Sequence, residues 1–218
     1  MKEILTREDV KRALRAASWA LIENAEELNA LDAATGDGDM GVSARIGASA
    51  ILKELDSIEA EELGIGEITR RAGLAFNRAA GSTIGALVAT AAMRAAVMFE
   101  AVQEVDLAVV AGAAEAAAEG IAERGGAKLG DKTLLDSLVP AADALTVAAG
   151  NGALFSDAVN EALLAAEQGF LGTTHLEAQV GRGRWAGARG LDHPDAGAGA
   201  VVTVLRALAA EGAKSSKL

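Results

Sequence analysis

The chain has 218 residues, 51% of them hydrophobic and 23% charged, and a net charge of −11 at neutral pH. That length and balance fit one globular domain with a single core and exclude a disordered chain. The acidic surface and the 3% aromatic content, with no tyrosine, argue against nucleic acid or an anionic membrane as a partner, and the lack of cysteine excludes disulfides and thiolate chemistry.

No stretch approaches the roughly 18 unbroken apolar residues of a membrane span. The opening residues Met1–Asp9 carry acids and no apolar signal core, so cytoplasm is the expected location. Alanine, leucine and glutamate dominate, there are two prolines, and no alternating β-branched run persists, so nearly every segment reads as helix. Thr6 and Asp9 make a capping-box pattern opening a helix to about Leu28, with Val10, Leu14, Trp19, Leu21 and Leu28 on its apolar side. Further helices are expected from Val42 to about Leu55, from Ile68 to about Asn77, and after Gly81, the last carrying Leu87, Val88, Met93 and Val97. A fifth covers Leu107 to about Arg124. Arg124–Asp131 is a loop, and a sixth helix runs from Thr133 to about Ala148 before a Gly150-Asn151-Gly152 turn. Ser156 is the expected cap of a seventh ending near Gly169, and Thr173 or Thr174 of a short piece to Val180. A glycine- and arginine-containing loop spans Gly181–Gly199, Ala200–Glu211 closes the fold, and Gly212–Leu218 is expected to fray. The pattern predicts an all-α single domain over residues 1–218, a bundle or barrel of about eight helices.

The most unusual stretch is Leu31–Gly41, which places Asp32, Asp37 and Asp39 within eight positions, interleaved with glycines. On a regular helix these carboxylates would not converge, so the glycines point to a tight loop folded around a charged object. Three adjacent carboxylates repel unless a cation neutralises them, and oxygen-only ligands suit magnesium first and calcium second. The other reading is a solvated acidic turn. Gly81-Ser82-Thr83-Ile84-Gly85 starts a helix, so Ser82 and Thr83 either receive an anion or supply a cap beside a packing glycine. It lacks the Walker pattern. Gly130-Asp131-Lys132-Thr133 also leads into a helix, either as its cap or as a nucleotide-binding turn. The loop Gly181–Gly199 brings three arginines into an acidic chain, and arginine forks suit phosphate oxygens. His193 in that loop is either a site residue or a surface or capping histidine, and His175 is read as structural. Two histidines and no cysteine leave little room for a nucleophilic triad.

Together these loops resemble the nucleotide-binding L subunit, or L domain, of the dihydroxyacetone kinase family. The family's L-D-x-x-x-G-D-x-D-x-G is matched by Leu31–Gly41, its G-D-K-T turn by Gly130–Thr133 followed by Leu134, Leu135 and Asp136, and its G-R-x-x-x-x-G-x-R-x-x-x-H-x-D-x-G-A by Gly181–Ala198. The resemblance implies a barrel of eight antiparallel helices with the nucleotide in a pit at one end. It implies that Asp32, Asp37 and Asp39 hold two magnesium ions bridging the phosphates of ADP or ATP, and that Ser82 and Thr83 contact phosphate. It places Gly130, Asp131, Thr133 and Leu134 by the adenine, and completes the site with Arg189, Asp195 and Gly197, Arg189 joining the three aspartates in catalysis. The implied chemistry is phosphoryl transfer to a hydroxyl of a short keto sugar held on a separate K subunit, with the phosphate coming from ATP or from a phosphotransferase-system protein that rephosphorylates bound ADP. A non-catalytic nucleotide-binding subunit, and a kinase domain for a four-carbon sugar or an acyl group, are the alternatives. Two departures stand out: Met40 follows the third aspartate where the family commonly has histidine or another residue, and Ile84-Gly85 replaces part of a G-G-x-S-G stretch. Oligomeric state stays open, a homodimer included.

Overall fold

The computed structural model describes residues 3–215, and among these it contains nine α-helices and no strand beyond an isolated bridge between Leu5 and Val105. The helices are α1 (Arg7–Glu23), α2 (Ala25–Thr35), α3 (Met40–Ser57), α4 (Ile65–Ala80), α5 (Thr83–Glu100), α6 (Leu107–Gly125), α7 (Leu135–Gly150), α8 (Phe155–Gly172) and α9 (Ala196–Ser215). Eight of them pack in a ring, α1 against α3, each later helix against the next, and α9 back against α1. Short connections along most of the ring make neighbours antiparallel. The short α2 lies across one end, packed on α3 and α9. The expected barrel is therefore present.

Alanine lets the ring close tightly. Ala158, Ala162 and Ala166 repeat every fourth residue on α8 and are fully buried, packing with Leu107, Ala111, Leu145 and Val202. Across the barrel, Ile51, Leu55, Ile58, Ile68 and Phe76 form a second cluster, joined by Val10 and Leu14 of α1 and by Ile84 and Val88 of α5. α5 and α9 are long and apolar enough on average to cross a bilayer, yet both are staves of the ring, each contacting a helix on either side.

Local physics adjusts several expected boundaries. The Thr6–Asp9 capping box forms as expected. The first helix does not continue to Leu28, because the Asn24 amide side chain donates to the Ala20 carbonyl at 2.8 Å and the chain restarts as α2. Trp19 is 54% exposed and is not a core residue. Ser156 does not cap α8: the Phe155 amide donates instead to the Glu3 carboxylate at 2.7 Å, an acid from the far end of the chain. Thr173–His175 is a single 3-10 turn, not the start of a helix to Val180. Within Gly181–Gly199 lie two further 3-10 turns, Arg182–Trp185 and Gly187–Gly190, and α9 begins at Ala196, four residues earlier than expected. It continues through Ser215; the rest of the expected frayed tail, residues 216–218, lies outside the described residues.

Candidate functional site

α2 ends and α3 begins around a turn built by side chains of α2. Asp32 Oδ2 accepts from the amides of Asp39 at 2.9 Å and Met40 at 3.2 Å, while Asn29 Oδ1 accepts from those of Gly41 at 2.7 Å and Val42 at 3.2 Å. The free amides at the start of α3 are thus capped by the preceding helix. Such close approach requires glycine at 41, where an added Cβ would lie 1.7 Å from the Ala25 carbonyl oxygen. The turn draws one oxygen each of Asp32, Asp37 and Asp39 within 4.8 Å of one another. Arg182 stands on this cluster, its guanidinium paired with Asp37 through one nitrogen and with Asp39 through the other at 3.1 Å.

The cluster borders a cavity of about 240 Å³ at one end of the barrel. Its walls include Asp32, Asp39, Met40 and Ser43, then Ser82, Thr83, Ile84 and Leu87, and then Thr133, Leu134 and Leu135, with Asp195, Ala196 and Gly197 closing the circle. α3, α5, α7 and α9 therefore all direct their N-termini at one space, a direct result of antiparallel order in an eight-membered ring. Four converging helix N-termini and their amides favour an anionic ligand there. Ile121, Leu87, Leu134 and Leu135 add an apolar wall.

The turn before α7 is held from within. Gly130, in the left-handed region at φ 93°, donates its amide to Asp136 Oδ1 at 2.6 Å, and Thr133 donates its amide to Asp136 Oδ2 at 2.7 Å. Asp131 accepts from the Lys128 amide at 2.9 Å. Lys132, a non-glycine residue at φ 59°, sends its ammonium group inward, where it donates to the carbonyls of Leu176 at 3.0 Å, Gly190 at 2.6 Å and His193 at 2.7 Å. All three of its N–H groups are thereby used. Burial pushes this ammonium below its ordinary range, against the pull of Asp195 and Asp192. Asp195 caps α9, its Oδ2 accepting from the Ala198 amide at 2.7 Å while its own amide donates to Thr173 Oγ1 at 2.9 Å. Burial pushes its carboxyl up to about 6; Asp136 adds to the rise, while the amides of Ala198 and Gly197 and the Lys132 ammonium oppose it.

Of the residues singled out in the sequence, Asp32, Asp39, Ser82, Thr83, Thr133, Leu134, Asp195 and Gly197 line the cavity, and Asp37 joins through the carboxylate cluster. Ser82 is also a cap, its Oγ accepting from the Gly85 amide at 3.4 Å. Gly130 and Asp131 do not line the cavity; they shape the turn before α7. Arg189 is exposed on the Gly187–Gly190 turn and does not line the cavity, whereas Arg182 does. His193 contributes its backbone carbonyl and its side chain is exposed, as is that of His175. Sequence reasoning singled out neither Arg182 nor Lys132 nor Asp136 as a site residue. Two signals pointed to Arg182: its place among three arginines in a long loop, and its match to the first arginine of the family's G-R-x-x-x-x-G-x-R pattern.

The DAK2 domain model matches residues 34–210, the greater part of the chain. The chain belongs to the DAK2 domain family. This DAK2 domain is 30% identical over 184 residues to the ADP-binding subunit of the PEP-dependent dihydroxyacetone kinase of Escherichia coli, covering 84% of the chain and 87% of that subunit. It is 33% identical over 201 residues to the L-erythrulose kinase of Pectobacterium atrosepticum and 31% identical over 200 to the D-erythrulose kinase of Mycolicibacterium smegmatis. Both matches cover 92% of the chain and 34% of the relative, so the chain spans about a third of the length of these two kinases. The dihydroxyacetone kinase of C. freundii, solved in complex with AMP-PNP and Mg2+, shares the fold with a TM-score of 0.71 and 24% identity, over 97% of this chain and 35% of that one. The all-α barrel and the likeness to the dihydroxyacetone kinase L subunit both stand.

Proposed function

We propose that this chain is the metal–nucleotide-binding part of a kinase that phosphorylates a short keto sugar. The observation that carries the reading is the convergence of a three-carboxylate cluster and four helix N-termini on one cavity, in a chain 30% identical to an ADP-binding kinase subunit. The donor set fits a hard divalent cation: the ligands are carboxylate oxygens alone, close together, and already matched to positive charge by Arg182. Asp32, Asp37 and Asp39 are the residues to hold magnesium. When bound, magnesium supplies charge neutralisation at the phosphates of ADP or ATP.

The chain's own residues do the rest. The amides and hydroxyls at Ser82 and Thr83, at the start of α5, hold the phosphate end, and Leu87, Ile121, Leu134 and Leu135 supply an apolar face for the base. Asp32 has a second task, since its bonds to the Asp39 and Met40 amides fix the loop that presents the other two carboxylates. Phosphoryl transfer needs positioning and charge more than covalent chemistry, so these groups suffice without a nucleophile in the chain. The acceptor sugar sits on a separate K-type subunit or domain, consistent with the chain spanning a third of the erythrulose kinases. Those relatives favour a four-carbon keto sugar as acceptor, alongside dihydroxyacetone. Bound ADP rephosphorylated by a phosphotransferase-system protein is the alternative to ATP, supported by the PEP-dependent relative.

The test is reconstitution. The chain is mixed with the K-type subunit of its source, magnesium, ATP and either dihydroxyacetone or erythrulose, and sugar phosphate is measured. Transfer that requires both proteins and is lost in Asp37→Asn is expected. Nucleotide binding with no transfer to either sugar, whether ATP or PEP with the phosphotransferase-system proteins is the donor, would replace this reading with a non-catalytic nucleotide-binding subunit.

A further inference from the structure

Arg182 is paired with two of the three carboxylates that a cation needs. Its two terminal guanidinium nitrogens pair separately with Asp37 and Asp39, and the same residue lines the cavity. It comes from a loop 143 residues along the chain from Asp39. The turn carrying it packs against α2, so the pairing is built into the loop and is not a chance meeting of surface side chains. Beneath that loop, the Lys132 ammonium ties together Leu176, Gly190 and His193, residues that bracket Arg182 in the chain. The neighbouring Arg184 lies 4.6 Å over the Trp185 ring and does not share the aspartates.

Taking the metal–nucleotide reading as its basis, we infer that Arg182 is a specificity-determining residue that makes the site refuse a free divalent cation and accept a cation that arrives with phosphate. A cation entering alone must displace the guanidinium from two carboxylates and leave it without an anionic partner. A cation entering with a nucleotide brings phosphate oxygens, and arginine exchanges a carboxylate pair for a phosphate pair at little cost. The competition is electrostatic and depends on the identity of residue 182, since removing the guanidinium exposes three adjacent carboxylates with no counter-charge. Arg182 thus has opposite effects on two equilibria: it weakens binding of metal alone and strengthens binding of metal–nucleotide. No purely structural role moves the two in opposite directions.

The test is Mn2+ binding by electron paramagnetic resonance, without nucleotide, alongside calorimetric titration of ADP in magnesium. The proteins are the full chain, Arg182→Gln, Arg182→Lys and Arg184→Gln, each checked by thermal melting. Arg182→Gln is expected to bind free Mn2+ about fivefold more tightly at low salt, the order expected for loss of two half-exposed ion pairs. It is expected to bind ADP in magnesium more weakly, by about tenfold. Arg182→Lys falls between on both scales, and Arg184→Gln, which removes the same charge from the same turn, changes neither appreciably. Unchanged or weaker Mn2+ binding in Arg182→Gln, with ADP binding intact in the parent chain, overturns the inference alone. If the parent chain binds no ADP in magnesium, the metal–nucleotide reading fails and the inference falls with it.

Discussion

The raised Asp195 carboxyl has a measurable consequence for stability. In the folded chain it titrates at about 6, against 3.8 for the ordinary group, and the first cause is burial. The unfolded chain therefore releases this proton near pH 4 while the folded chain keeps it to about pH 6. Between those values the folded state binds more protons, so stability falls as pH rises and is fully present only below the unfolded value. The shift of about two units corresponds to about 3 kcal/mol lost across that window at about 1.4 kcal/mol per unit. Asp195→Asn keeps an oxygen to accept the Ala198 amide but cannot ionise. Urea unfolding followed by circular dichroism between about pH 4 and pH 7 measures the effect as a difference between parent and variant, cancelling carboxylates common to both. The parent should lose about 3 kcal/mol relative to Asp195→Asn across this range. Parallel pH profiles, or a parent that gains on the variant as pH rises, would refute the burial argument.

Other consequences follow from single contacts. Gly41→Ala forces a methyl group into the Ala25 carbonyl and should cost at least about 2 kcal/mol, read as a drop in Tm, and should also weaken ADP binding because it moves the aspartate turn. Lys132→Met removes three hydrogen bonds and leaves three carbonyls of the late loop without their donor; a loss of about 2–4 kcal/mol is expected, with faster amide exchange in residues 181–193, and Lys132→Arg should restore only part of it. Glu3→Gln weakens the charge-assisted cap of α8 by less than about 1 kcal/mol, a small Tm shift that leaves ADP affinity unchanged.

The sequence made the helices legible wherever the signal was local. The Thr6–Asp9 box is a three-residue relation, and the α8 stripe of Ala158, Ala162 and Ala166 is a periodicity; both are carried by neighbours in the chain. The Asn24 break escaped because no glycine or proline marks it, only a side chain bonding back to its own helix. Glu3 capping α8 joins residues 152 positions apart and has no local trace. In the site, the glycine spacing around Asp32, Asp37 and Asp39 revealed a turn, and the structure brings these carboxylates together. Spacing did not decide between the two patterned arginines of the late loop: Arg182 meets the aspartates while Arg189 faces outward, a choice made by the path of the 3-10 turns. Lys132 was equally hidden. It stands in a turn read as a helix cap or a nucleotide-binding turn, and its three donors are spent on carbonyls that only the fold brings near.

The most direct test of a metal–nucleotide site is calorimetric titration of ADP into the purified chain in magnesium, repeated in EDTA and with Asp37→Asn. The account predicts binding in magnesium that disappears with chelation and with the loss of that carboxylate. Binding that survives both, or no binding by a chain that melts cooperatively, would contradict it.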